Sequence, residues 1–304
     1  MPILSRAGEE VTLIARGNRA AYLQGHGATL TGLVDFTVPV PVVTDPQQVQ
    51  EADVLMVTVK TYDMVAALAS VKHLDVGSVL SIQNGVLKNE QLAQTFGWEK
   101  VLGATAMFTA EVLPTGTVRF TANQGFYLGE LPAGTSARVQ TLGETLERVG
   151  IVAQVTPAMQ SIEWSKYVAW ICCMAPAVLT RAETYKFLQE AQTASIVAAL
   201  VREMTQLATT RGIALEDMAF FPIKTLNQLA LDDMVTHVQH IGDQFASLAP
   251  TQKMSTLQDV ERGKHLEVEE TLGYAVRQSA ALGLPTPTMH VCYNLIAGIN
   301  HYLQ

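Results

Sequence analysis

The chain has 304 residues, 48% of them hydrophobic and 16% charged, which is enough for a large buried core and favours two domains over one. A net charge of -8 without a compensating basic stripe excludes a general binder of nucleic-acid backbones. No apolar stretch is long enough to span a bilayer and residues 1–8 lack signal-peptide anatomy, so no membrane partner and a cytoplasmic location are expected. Cys172, Cys173 and Cys292 have neither zinc-site spacing nor the numbers of a disulfide framework, and read as buried, reduced thiols. The histidines form no metal motif, since His237 and His240 lack a third partner, and no serine has a nucleophile-elbow context.

Taken in chain order, Leu4 to Gly8 reads as the last turn of a helix, with Gly8 as its stop. Val11-Thr12-Leu13-Ile14-Ala15 reads as a buried strand. Val54 to Val59 is a second and Val79 to Ile82 a third, with an amphipathic helix from Tyr62 to Val71 between them. Strand, helix, strand at this pitch predicts a parallel sheet. Val118 to Phe120 and Phe126 to Leu128 then suggest a hairpin, with Asn123, Gln124 and Gly125 as its turn. From about Met159 the pattern is helical, over Ser161–Thr180, Ala191–Arg211 and Val268–Leu282. The expected fold is α/β: a Rossmann-type domain over residues 1–156 and an all-α substrate domain over 157–304, with a cleft between them.

In a doubly wound dinucleotide fold, the residue ending the second strand meets the adenosine ribose. A carboxylate there selects NAD, and an arginine accommodates the phosphate of NADP. Here the strand from Val11 ends in Arg16-Gly17-Asn18-Arg19, without a carboxylate. Arg16 either faces a 2'-phosphate or is an ordinary surface arginine. Ahead of that strand, a hydrophobic first strand and a G-x-G-x-x-G turn are expected and are not found, the first glycine being Gly8. That turn holds the pyrophosphate. The expectation is either a chain that starts further upstream or a degenerate member that no longer holds cofactor in the usual way.

Several segments, in order along the chain, resemble the ketopantoate reductase (2-dehydropantoate 2-reductase) family. They are Val-Thr-Leu-Ile-Ala-Arg-Gly (11–17), Val-Thr-Val-Lys-Thr (57–61), Ile-Gln-Asn-Gly-Val (82–86), the Thr115-Gly116-Thr117 turn, Gly129-Glu130, Trp164-Ser165-Lys166 and Ser255-Thr256-Leu257-Gln258-Asp259. The resemblance implies NADPH-dependent reduction of a 2-oxo acid to the 2-hydroxy acid, and with ketopantoate a place in pantothenate synthesis. A homodimer is the assembly considered. The alternative is a non-catalytic relative that keeps the two-domain shell as a binding or regulatory protein.

Hydride transfer to a keto carbon builds negative charge on its oxygen, which needs a proton donor or cation. Lys166 matches the family's catalytic lysine, and its apolar flanks predict a pKa lowered by desolvation. The bland reading is a snorkelling surface lysine. Glu267 matches a glutamate near substrate and lysine, and is expected in the first turn of a helix following Gly263. It can equally serve helix-start electrostatics alone. Ser255 matches a substrate-binding serine and forms an S-x-x-Q pattern with Gln258, for which a capping box is the simpler expectation. Asn84 matches an asparagine near nicotinamide and substrate, against a plain Asn-Gly turn. Lys60 matches a lysine at the cofactor and substrate mouth. Both follow parallel strands, whose C-terminal ends bind ligands. Four and eight residues beyond the lysine, where the family usually carries substrate-binding asparagines, stand Trp170 and Met174. An apolar face there is either core packing or a cleft wall suited to a larger, more apolar oxo acid.

Overall fold

The computed structural model describes residues 1–218 and 220–303. The chain divides into two compact units. The first comprises Met1–Val59, Asp63–Gln83 and Asn89–Met159; the second comprises Lys60–Tyr62, Asn84–Lys88 and the chain from Gln160 onward.

In the first unit the elements run α1 (Pro2–Arg6), β1 (Leu13–Ile14), α2 (Gly17–His26), β2 (Ala28–Gly32), β3 (Phe36–Val38), β4 (Val42–Val43), β5 (Glu51–Val57), α3 (Met64–Val71) and β6 (Asp75–Ser81). They continue with α4 (Leu87–Phe96), whose first two residues group with the second unit, and then β7 (Leu102–Val112), β8 (Val118–Glu130), α5 (Ala137–Arg148) and β9 (Ala153–Val155). β1 pairs parallel with β4, and β5 pairs parallel with β6 from Glu51↔Asp75 to Val57↔Ser81. These parallel pairs are of the Rossmann-like kind expected, and beside them lies a five-stranded mixed sheet in the order β3-β2-β8-β7, with β9 on β8. In β6, Val76, Ser78, Val79, Leu80 and Ser81 are all buried. A near-continuous buried run is what a parallel strand covered on both faces requires. Met64, Leu68 and Val71 form the buried stripe of α3, and Val139, Leu142, Gly143 and Leu146 that of α5.

The hairpin is displaced from its expected place. β8 runs unbroken through Asn123-Gln124-Gly125 and pairs antiparallel with β7, and the chain reverses at Leu113–Thr117, where the Leu113 N–H donates to the Thr117 carbonyl. Gly116 takes φ +88°, a conformation that glycine accepts without strain. Asn123 is occupied differently: its amide donates to the Gly150 carbonyl and accepts from the Val152 N–H, tying β8 to the approach of β9.

The second unit is helical: α6 (Met159–Thr180), α7 (Thr184–Gln189), α8 (Ala191–Thr210), α9 (Ile223–Gln228), α10 (Leu231–Leu248), α11 (Ser255–Glu261), α12 (Leu272–Ala281) and α13 (Pro287–Tyr302). α6 is buried nearly all round, with Tyr167, Val168, Ile171, Cys172, Met174 and Ala175 in the core, as an apolar helix inside a bundle must be. The three cysteines are buried free thiols, and burial pushes Cys173 up to about 12 and Cys292 up to about 11. Glu203 on α8 accepts the Thr288 and Met289 N–H groups at 2.9 and 2.7 Å, so a side chain from another helix satisfies the first turn of α13. Among the described residues no helix is long and apolar enough to cross a membrane.

Candidate active site

Four segments of the helical unit carry the residues singled out above other than Arg16, together with further ionisable groups. Lys60–Tyr62 follows β5 and Asn84–Lys88 follows β6, so both leave the C-terminal ends of paired parallel strands. α6 supplies Glu163 and Lys166. The stretch from α11 to α12 supplies Asp259, Glu267 and Glu270.

Lys60 lies between two carboxylates, with its ammonium 2.8 Å from Asp259 Oδ2 and 3.0 Å from Glu267 Oε2. Partial burial pulls the Lys60 pKa down, but the charges and hydrogen bonds of Glu267 and Asp259 outweigh it, so the net direction is up. The other Glu267 oxygen accepts the Thr61 N–H at 2.9 Å, and the Thr61 hydroxyl donates to Glu270 at 3.2 Å. Glu267 therefore does not sit in a helical turn. It lies in an irregular segment before α12, which starts at Leu272 rather than at Val268, and its carboxylate holds the 60–61 segment instead of a helix end.

Asn84 occupies the bend before α4 and is half-buried. The next residue, Gly85, has φ +85°, and a Cβ there would stand 3.3 Å from Thr271 Cγ2, so the turn is closely packed as well as left-handed. Thr271 is fixed in turn: its carbonyl accepts the Tyr167 hydroxyl at 2.7 Å, joining this segment to α6.

Lys166 is half-buried on α6. Burial is the largest influence on its pKa, the Lys88 ammonium adds to it, and Glu163 opposes both; together they lower it from 10.5 to about 7. Its neighbour Ser165 is wholly buried, donating to the Ser161 carbonyl at 2.6 Å and accepting the Glu216 N–H at 2.7 Å. One α6 turn before Lys166, Glu163 pairs with Lys88 at 3.1 Å, both side chains being 2% exposed. A lysine that is half-deprotonated near neutrality can give up a proton and recover one.

The remaining expected residues fall as follows. Ser255 is exposed and is the first residue of α11, whose cap position belongs to Met254; no side chain caps that helix, and the Gln258 amide donates to the Lys253 carbonyl instead. The expected capping box does not form, because the helix starts one residue too early for it. Trp170 is 7% and Met174 1% exposed, both within the core of the helical unit. Arg16 is exposed in the first unit, at the end of β1, where it precedes α2 in an extended conformation. Lys88, Glu163, Asp259, Thr61 and Glu270 were not predicted as site residues. Asp259 stood inside a recognised motif, whereas Lys88 had no local signal.

The ketopantoate reductase PanE/ApbA family model matches residues 3–133, and that family's C-terminal model matches residues 158–300. The chain belongs to the ketopantoate reductase family. Among similar proteins, the 2-dehydropantoate 2-reductase of Archaeoglobus fulgidus is 25% identical over 297 residues, covering 98% of this chain and 92% of that protein. The enzyme of the same name from Pyrococcus abyssi is 24% identical over 97% of this chain and 92% of its own. A crystal structure of a PanE/ApbA family ketopantoate reductase from Ralstonia eutropha superposes with a TM-score of 0.84 at 25% identity, covering 99% of this chain and 94% of that one. Ketopantoate reductases are pyridine-nucleotide-dependent oxidoreductases acting on a small keto acid, so this chain is of an enzyme family.

Proposed function

We propose that the protein reduces a 2-oxo acid to its 2-hydroxy acid with NADPH, and that the Lys166 ammonium protonates the emerging alkoxide. One observation carries the reading: a half-buried lysine with its pKa brought down to about 7, on the helix that matches the family's catalytic lysine. A bound dihydronicotinamide would supply the hydride. The adenosine end fits a phosphorylated nucleotide, because Arg16 is exposed at the end of a parallel strand and α2, which follows it, has no acidic residue in its first turn. Lys60 and Asn84, each beyond the end of a parallel strand, are assigned to cofactor and to the substrate carboxylate. Glu267 keeps Lys60 charged and in place, and exposed Ser255 offers a hydroxyl to substrate. Trp170 is assigned as apolar backing rather than as a hydrogen-bonding partner.

With Trp170 and Met174 on the lysine's face of α6, that face offers no carboxamide to a substrate hydroxyl. The substrate proposed is ketopantoate or a related larger or more apolar 2-oxo acid. Val291 and Leu295, one turn apart and exposed on α13, support a homodimer, which sedimentation at several concentrations tests. The functional test is NADPH oxidation across a panel of 2-oxo acids, repeated with NADH and with Arg16→Ala. Turnover with NADPH is expected, with the Arg16 variant raising KM for NADPH and not for NADH. Failure of the full-length protein to bind or oxidise either nucleotide ends the proposal and leaves the non-catalytic alternative.

A further inference from the structure

We propose that Lys88 and Glu163 are positioning residues for Lys166: their buried ion pair fastens the Asn84 turn to α6 and fixes a second cation beside the reacting ammonium. The inference rests on the reading of Lys166 as proton donor. The pair is 3.1 Å apart, and each side chain is 2% exposed. Taking two charges so far out of water is costly, and replacement by apolar residues is often neutral or stabilising, so a buried pair is weak evidence of a purely structural purpose.

Its placement supplies a purpose. Lys88 stands four residues beyond Asn84 in the segment that opens α4, and Glu163 stands three residues before Lys166, on the same face of α6. One contact therefore has a proposed substrate-binding residue at one end and the proposed proton donor at the other. The tight Gly85 turn, packed on Thr271, leaves the Asn84 segment little freedom to move independently. The charges that bear on Lys166 are Lys88, from the start of α4, and Glu163, from its own helix, and they act in opposite senses on top of burial. A neighbouring cation that resists protonation makes the ammonium a stronger acid, suited to giving up its proton near neutral pH.

The ionisation of Lys166 can be read without substrate or cofactor. Competitive acetylation of the full chain at graded pH, with mass spectrometry of the Lys166 peptide, gives its titration midpoint, expected near 7. Lys88→Met should move the midpoint up and Glu163→Gln should move it down, each by about half a pH unit or more. Charges that do not reach Lys166 would move both variants the same way or neither, and either result overturns the proposal. If a single variant does not fold, Lys88→Met/Glu163→Leu removes both charges and strands neither. That double variant should keep its thermal midpoint and lose about tenfold in kcat on the acidic plateau, where Lys166 is protonated in both proteins, with the Lys166 midpoint raised because Lys88 bears on it more strongly than Glu163. Unchanged kcat and an unchanged Lys166 midpoint in the double variant refute the inference. If the parent protein reduces no oxo acid, the reductase reading fails while opposite shifts in the single variants still stand, so the two failures are distinguishable.

Discussion

Raising the pH should switch the reduction off through Lys166, and the structure sets where. With its pKa lowered to about 7 by burial and by the Lys88 charge, Lys166 is about half protonated at neutrality. It loses protonated fraction about tenfold per pH unit above that, so kcat for reduction at pH 9 should lie about 100-fold below its acidic plateau. An ordinary lysine would remain almost fully protonated at pH 9. The assay is NADPH oxidation at saturating oxo acid from pH 5.5 to 9.5, within the range where circular dichroism shows the fold unchanged. The same ionisation bears on stability. Because the folded pKa is depressed below the ordinary 10.5, the unfolded chain binds more protons between about 7 and 10.5, and stability rises with pH across that window. At pH 7 and below, the protonated lysine is a liability with a ceiling of about 5 kcal/mol, which relaxation of the site around the charge reduces to about 2 kcal/mol. Lys166→Met should therefore be inactive yet more stable than the parent at pH 7 by about 2 kcal/mol in urea unfolding. A kcat that stays flat to pH 9, together with a destabilised Lys166→Met, would refute the reasoning.

Substitutions at two further positions separate site from scaffold. Glu267→Gln keeps an acceptor for the Thr61 N–H but discards the ion pair to Lys60, so kcat/KM should fall about tenfold with little change in melting temperature. Glu267→Ala should in addition cost about 1–3 kcal/mol, measured by denaturant unfolding, because the Thr61 N–H loses its partner. Glu203→Leu orphans the Thr288 and Met289 N–H groups at the start of α13, and should cost about 2–4 kcal/mol while leaving kcat at a permissive temperature near that of the parent.

The parts of this molecule that announce themselves in sequence are those governed by local periodicity. The β-branched runs that became β5 and β6, and the apolar flanks of Lys166, are patterns within a few residues, and burial follows from them. Asn123-Gln124-Gly125 misleads because its turn chemistry is real while its setting is not. The carboxamide of Asn123 bonds Gly150 and Val152, and the β7–β8 ladder absorbs the segment as a register shift between Phe108↔Asn123 and Ala106↔Phe126 rather than as a turn. Ser255 misleads by a single residue of helix start, the least reliable feature of any element. Lys88 could not be read at all, since nothing near it in sequence marks it as the partner of Glu163, far along the chain. The same holds for Lys60–Tyr62 and Asn84–Lys88, which follow strands of one unit yet group with the other. Only the folded contacts show that these loops belong with the lysine helix.

The most direct test of Lys166 as proton donor is single-turnover NADPH oxidation by Lys166→Ala, with nucleotide binding monitored in the same samples. A loss of about 10²–10⁴ in the rate of hydride transfer with nucleotide affinity retained is the predicted result. A variant that turns over within threefold of the parent would contradict it.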